Sequence, residues 1–352
     1  MDGFDAEERA ESIRMIRDSA AAIAPRRDLR RIRALRHTEL GFDPSVLRQM
    51  GELGWIGLRL PEEAGGAGLG MAACCALTEE LGRGLVPEPL VPAMLSAALL
   101  AACGEKALLA RLLAGEALVL TAWQERVDRL EAPGTPGAPR LFLPLARGAE
   151  AFLLPVGTAL HLLPAAGQAL EVLAMQDGSH VATLRPDLAA ARPLGGDVAA
   201  ALAQALDEAA LATAAYLLGV MEGAFALTLD HLRTRQQFGK AIGSFQALQH
   251  RAVDLKIALS LTRASVEAAA ATLDADPTPE ARAAAVSRAK ARAADAAMLV
   301  TRAAVQLHGA IGYTEEHDVG LFLRKAMVSC NAFGSAALHR GRFVATAPDQ
   351  DD

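Results

Sequence analysis

Residues 233–249 read RTRQQFGKAIGSFQALQ. Arg235, Phe238 and Gly239 stand close together at the end of a long helical pattern, and Ile242, Phe245, Gln246 and Gln249 follow after a break. Upstream, residues 201–238 repeat apolar side chains at three and four spacing without interruption, which predicts a helix running as far as Phe238. Downstream, residues 246–273 predict a second helix and 279–309 a third. The DPTP stretch at 276–279 separates them, with Pro277 closing one helix and Pro279 opening the next. A further helix lies within HDVGLFLRKAMVS (317–329), and another follows Gly334. Long antiparallel helices with short joins make a bundle.

Before this bundle the pattern changes. From about 119 to 197, ALVLTAW, RLFLPL, AFLLPV, ALHLLP, LEVLAM and HVATL are short apolar runs between Pro, Gly and Asp turns, as expected of a small β domain. EAPGTPGAPR (131–140) reads as a loop at its entrance. Residues 6 to about 118 read as helix after helix, in ESIRMIRDSAAAIA, PSVLRQMGELGWIGL and MAACCALTEELGRGL. The glycines of LPEEAGGAGLG (60–70) follow no strand and precede no Lys-Ser/Thr pair, so they read as an interhelical turn and not as a phosphate loop. The expected fold is mainly α with a small β domain. An N-terminal helical domain (1–118), a reduced, barrel-like middle β domain (119–197) and a C-terminal four-helix bundle (198–352) follow in order.

Bulk properties exclude several classes. A chain of 352 residues exceeds one ordinary core. It is 52% hydrophobic and 22% charged, hence globular. A net charge of −6 argues against a nucleic-acid partner. Every apolar run of about 18 residues contains a charge or a breaker, so no membrane span is expected. The amino terminus is acidic and has no apolar core of a secretory signal. Cys74, Cys75, Cys103 and Cys330 have no CxxC spacing and read as small buried residues in a reducing cytoplasm.

The order helical domain, small β domain, bundle resembles the acyl-CoA dehydrogenase family. LGWIGLRLPEEAGGAGLG (53–70), EELGRGLVPEPLVP (79–92), IGSFQALQHRAVD (242–254), QLHGAIGYTEEHD (306–318) and LRKAMVSCNAFGSAALHR (323–340) carry the resemblance in order and spacing. The Thr-Glu-Pro…Gly-Ser-Asp stretch that helps to cover the flavin in the family is missing here; TAWQE (121–125) stands where the β domain should begin. The resemblance implies FAD held between subunits, an acyl-CoA substrate and an electron-transfer flavoprotein as electron acceptor.

The implied cofactor contacts are Arg235, Phe238, Gln246, Gln306, Gly309 and Gly312. Arg235 offers a planar fork of donors suited to a pyrophosphate. Phe238 can lay an aromatic face on the cofactor. Gln246 and Gln306 can donate and accept at adenine or ribitol edges. Gly309 and Gly312 permit close approach of backbone to phosphate. Outside the motif, Arg235 would read as a solvated helix residue, Phe238 as core and Gln246 as surface. His308 reads as a satisfied buried histidine even within it.

Removing an α proton needs a carboxylate. In most of the family a Glu before Gly-Thr supplies it; ungapped alignment through Arg324 and Arg340 puts Phe333 there, before Gly334-Ser335. In a minority of the family the base lies early on the first bundle helix, which falls here on Ala209, beside Asp207 and Glu208. One helical residue turns the side chain by about 100°, so Glu208 is a catalytic candidate only after a small register shift. Asp207 and Glu208 otherwise read as acids at a helix start, and Glu222 as a buried or arginine-paired acid. The arginine that many relatives carry beside the early base position is Ala210. Two readings follow: a working dehydrogenase, or a base-less subunit completing FAD sites for a homologous partner, as in mixed assemblies of the family. Either one assembles through the bundle, as a homo-oligomer or with that partner.

Overall fold

The computed structural model describes residues 2–26 and 28–347. Eleven α-helices and nine strands occur among them: α1 Asp2–Ile23, α2 Arg30–Leu35, α3 Pro44–Glu52, α4 Met71–Arg83, α5 Leu90–Ala102, α6 Lys106–Leu113, β1 Val119–Thr121, β2 Arg140–Pro144, β3 Ala151–Val156, β4 Ala159–Pro164, β5 Ala169–Ala174, β6 His180–Arg185, β7 Arg192–Gly195, α7 Ala199–Thr234, β8 Gln236–Gln237, β9 Lys240–Ala241, α8 Gln246–Asp274, α9 Pro279–His308, α10 Val319–Ser329 and α11 Ala336–Thr346. The chain is mainly α with a small β region between helical parts, as the sequence predicts. It forms two compact units.

One unit comprises Ile32–Cys74 and Pro87–Ala210. Asp43 caps α3 by accepting from Ser45 N at 2.9 Å, and Pro44 opens the helix with its φ already set. Gly51 lets α3 lie on the turn after α6, since a Cβ there would sit 2.3 Å from the Ala114 backbone. The strands of the small β domain divide between two sheets, β1-β3-β4-β7 and β2-β6-β5. β3 is buried along almost its whole length between β1 and β4, hence the unbroken apolar run AFLLP. Gly157, at φ 59°, takes the first of two turn positions in the β3–β4 hairpin. The fully buried Arg140 donates to the carbonyls of Thr135, Ala138 and Pro155, closing the entrance loop. β7 has no apolar run of its own, and the sequence pattern missed it.

The other unit comprises Met1–Arg31, Cys75–Val86 and Leu211–Asp352. α9 is its central helix, in contact with α8, α10 and α11. Its many alanines allow that approach, and Thr278 caps it through Ala281 N at 3.3 Å. Two glycines let α4 and α7 touch. A Cβ on Gly219 would lie 1.9 Å from Glu79 O, and one on Gly82 would lie 2.1 Å from Tyr216 O. Around that crossing the carboxylates of Glu79, Glu80 and Glu222 meet the guanidinium groups of Arg17, Arg83 and Arg263. The 18-residue core of α7 is apolar enough to cross a bilayer, but 67% of that window is buried within the protein.

None of the four cysteines forms a disulfide; Cys74 and Cys75 are buried and Cys103 and Cys330 partly exposed. One sequence expectation fails here. The helix ends at Thr234 and not at Phe238. Phe238 (φ 53°) and Gly239 (φ 77°) both take the left-handed conformation and turn the β8–β9 hairpin. Two consecutive positive-φ residues are what a type I′ hairpin turn requires, and they overrode the apolar period.

Candidate functional site

The hairpin is built from its backbone. Arg235 N donates to His231 O at 2.9 Å, and Ile242 N to Arg235 O at 2.9 Å. Its side chains are left for other tasks. Phe238 is 89% exposed, an unusual state for a phenyl ring. It meets Phe245 edge to face at 6.2 Å, and Lys240 Nζ lies 4.3 Å above the Phe245 ring. Arg235 is exposed and makes no ion pair among the described residues. Gln246, also exposed, is the first residue of α8.

The second motif closes α9. Gly309, at φ 66°, is the residue after the last turn, a conformation that strains any side chain. Gly312 folds back so closely that a Cβ would lie 2.6 Å from Val305 O and 3.0 Å from His308 Cβ. Gln306 is exposed and lines a groove of about 820 Å³ together with Arg251, Arg302, Tyr313, Met298 and Leu323.

Three imidazoles join the two motifs. His231 lies one turn before Arg235, His308 two residues after Gln306, and His317 two residues before α10. The His231–His308 and His308–His317 centroids are each 4.4 Å apart, and His231–His317 are 6.4 Å apart. His308 Nδ1 donates to Ala304 O at 2.7 Å. Its Nε2 is buried with no hydrogen-bond partner, so the sequence reading of a satisfied buried histidine is only half right. Burial pushes His308 down to about 4, with His317 and His231 adding to the effect against the Ala304 hydrogen bond. His231 is lowered too, first by burial and then by His317 and Arg235. The sequence carries no local signal for this trio, because its members come from three elements.

The acids singled out on α7 are all engaged. Glu208 is not at a helix start: α7 begins nine residues earlier, at Ala199. Its carboxylate accepts from Arg59 Nη2 at 2.7 Å and from Gln204 Nε2 at 3.0 Å. Glu222 is bound by Arg83 and Arg263, the arginine-paired alternative. Asp207 is buried, and the side chains of Ala209 and Ala210 offer no polar atom.

Phe333 sits at φ 54° in the turn between α10 and α11, followed by Gly334 at φ 100°. The turn is fastened by its carbonyls. The buried Lys290 Nζ donates to Cys330 O and Gly334 O, both at 2.8 Å. His339 Nε2 donates to Phe333 O at 2.8 Å, and its Nδ1 faces Ser287 Oγ at 3.2 Å. Sequence reasoning missed Lys290 and His339 in helices and Arg59 in a turn, because a lone basic residue resembles a solvated one.

Family models extend the likeness beyond these motifs. The acyl-CoA dehydrogenase C-terminal domain matches residues 198–346 and the N-terminal domain residues 10–117. The chain belongs to the acyl-CoA dehydrogenase family. It is 32% identical over 333 residues to acyl-CoA dehydrogenase IpdE2 of Mycolicibacterium smegmatis, covering 92% of this chain and 95% of that protein. The Tcur3481-Tcur3483 steroid ACAD is similar at TM-score 0.83 and 28% identity, with 97% of this chain and 98% of that one covered. The ChsE4-ChsE5 complex from Mycobacterium tuberculosis is similar at TM-score 0.81 and 27% identity, with the same coverage. As an acyl-CoA dehydrogenase family member the chain is a flavoprotein with FAD as its cofactor. The donor set fits that group: an unpaired guanidinium, an exposed phenyl ring, and a groove edged by Gln306.

Proposed function

We propose that this chain is the base-less subunit of a mixed acyl-CoA dehydrogenase, contributing Arg235, Phe238, Gln246, Gln306, Gly309 and Gly312 to FAD sites that a homologous partner completes with its own base. Phe333 carries this reading: an aromatic ring stands where the family's carboxylate is expected, and no phenyl group abstracts a proton. The engagement of Glu208 by Arg59 supports it, because that carboxylate already has two donors. FAD, when bound, supplies the hydride acceptor for α,β-dehydrogenation of an acyl-CoA thioester. Arg235 would neutralise the pyrophosphate, Phe238 would pack on the cofactor, and the two glycines would admit it close to the backbone.

Two of the similar structures bear paired names, and one of them is called a steroid ACAD. A steroid-derived acyl-CoA is therefore the first substrate class to test, with an electron-transfer flavoprotein as acceptor. Assembly through the bundle is supported by α8, whose Val253, Ile257 and Leu261 recur every four residues and are each more than half exposed. We divide the chain into parts 1–118, 119–197 and 198–352, and place it in the cytoplasm.

The test is co-expression with a longer homologue that carries Glu before Gly-Thr. A joint complex whose flavin bleaches with acyl-CoA under anaerobic conditions, while this chain alone stays oxidised, supports the reading. Bleaching of this chain alone overturns it in favour of a self-sufficient enzyme. In that event Glu208, half-buried beside Arg59, is the catalytic base to mutate first.

A further inference from the structure

We propose that the His231–His308–His317 stack is a proton-operated latch between the two motif-bearing segments. Neutral, it packs the foot of the 235–241 hairpin onto the turn after α9; protonated, it parts them. The consequence for cofactor retention rests on the reading of those segments as FAD-binding.

The geometry carries the proposal. His231 and His308 are stacked at 4.4 Å with their planes 30° apart, a ring contact between the end of α7 and the end of α9. His317 closes the other face of His308 at 4.4 Å. Gly312, from the same turn, lies against His308 Cβ. The two segments therefore meet through stacked rings whose packing suits the neutral form, and a second proton in the stack would set like charges in contact.

The charged and titratable groups acting on His308 and His231 oppose a proton on either ring, while His317 stands beside Glu316 and Asp318 and accepts from Val319 N through Nδ1. His308 feels His231 on α7 and His317 ahead of α10. His231 feels His317 and Arg235. A proton on His308 would go to Nε2, since Nδ1 already donates to Ala304 O, and Nε2 has no acceptor among the described residues. A buried N–H without an acceptor is costly, and like charges in contact add repulsion. Relief comes when His308 reaches water, which requires the hairpin foot and the α9 turn to separate. Arg235 and Gln306, one on each segment, then lose their common placement.

The experiment uses the full chain, with its partner subunit if that is required for solubility. Backbone amide exchange, corrected for its intrinsic pH dependence, is followed at 235–242 and 309–313 from pH 8 to 5, alongside FAD affinity by fluorescence quenching. We expect protection of both segments to fall together, and FAD affinity to fall tenfold or more, in the wild type; His308→Asn should flatten both profiles. His231→Gln, at a half-buried position, is the second variant should His308→Asn misfold, and it should reduce the slope in the same way. Equal pH profiles in wild type and variants, or loss of protection in one segment alone, would overturn the latch. Absence of FAD binding at any pH would sink the cofactor reading, while the exchange profiles would still decide the latch.

Discussion

Lys290 Nζ lies 2.8 Å from the carbonyl oxygen of Gly334, so a buried ammonium on α9 holds the turn between α10 and α11 that carries Phe333. The same nitrogen binds Cys330 O at 2.8 Å, and the lysine is fully shielded from solvent. Replacing it with methionine keeps the volume but leaves two inward carbonyls without a donor. Lys290→Met should cost about 2–4 kcal/mol. A urea unfolding midpoint equal to that of the wild type would refute this.

Arg235→Ala separates binding from folding. The hairpin is held by the Arg235 main chain, and its side chain is exposed. Stability should stay within about 0.5 kcal/mol of wild type. The loss of a charge-assisted contact of about 1.5–3 kcal/mol corresponds to FAD affinity falling roughly 10- to 100-fold. Flavin content measured after dialysis checks both halves, and an undiminished content would remove Arg235 from the site.

Gly219→Ala should be among the most damaging small substitutions. Its Cβ would meet Glu79 O at 1.9 Å, a main-chain atom that cannot rotate away. α4 and α7 must then separate, disturbing the ion pairs between Arg83, Glu79 and Glu222. We expect a loss of about 3 kcal/mol or more, read as a fall in melting temperature. Gly341→Ala, where a Cβ meets nothing, is the control and should be near neutral.

Stability should fall as the solution is acidified through the histidine range. His308 drops from an ordinary value near 6.5 to about 4 in the fold, chiefly because it is buried. Its neutral form is thus the folded form. The full stability is present above about pH 6.5 and is lost progressively as pH falls toward 4, by at most about 3 kcal/mol. The difference in unfolding free energy between wild type and His308→Asn, taken at pH 7.5 and at pH 5, isolates this contribution from that of carboxylates such as Glu79. That acid is lowered although burial opposes it, because Arg263 and Arg17 hydrogen-bond to it. An unchanged difference between the two pH values would count against the assignment.

Much of the fold was legible because period and punctuation agree. The helices of the bundle follow three- and four-spaced apolar residues, and Pro279 opens α9 where DPTP marks a boundary. Six of the first seven strands coincide with short apolar runs between turn residues. The failures have a common cause. β7 and the β8–β9 hairpin are defined by pairing and by positive φ at Phe238, neither of which apolar periodicity records. At the candidate site, Arg235 and Gln306 were visible as motif residues. Their connection through His231 and His308 was not, since 77 positions separate the two rings along the chain. Arg59 as the partner of Glu208 is equally remote, at a separation of 149 residues.

The Cys330–Gly334 turn is held through main-chain oxygens, by Lys290 and His339. The fold thus asks of position 333 a side chain that tolerates a φ of 54°, and does not ask for an acid. On the base-less reading proposed above, one copy could surrender its acid there after a gene duplication and persist as an intact protein, with selection acting on what it still offers its sibling. The ancestry of a two-gene enzyme can begin at such a hinge of tolerance, where chemistry is dispensable and architecture is not.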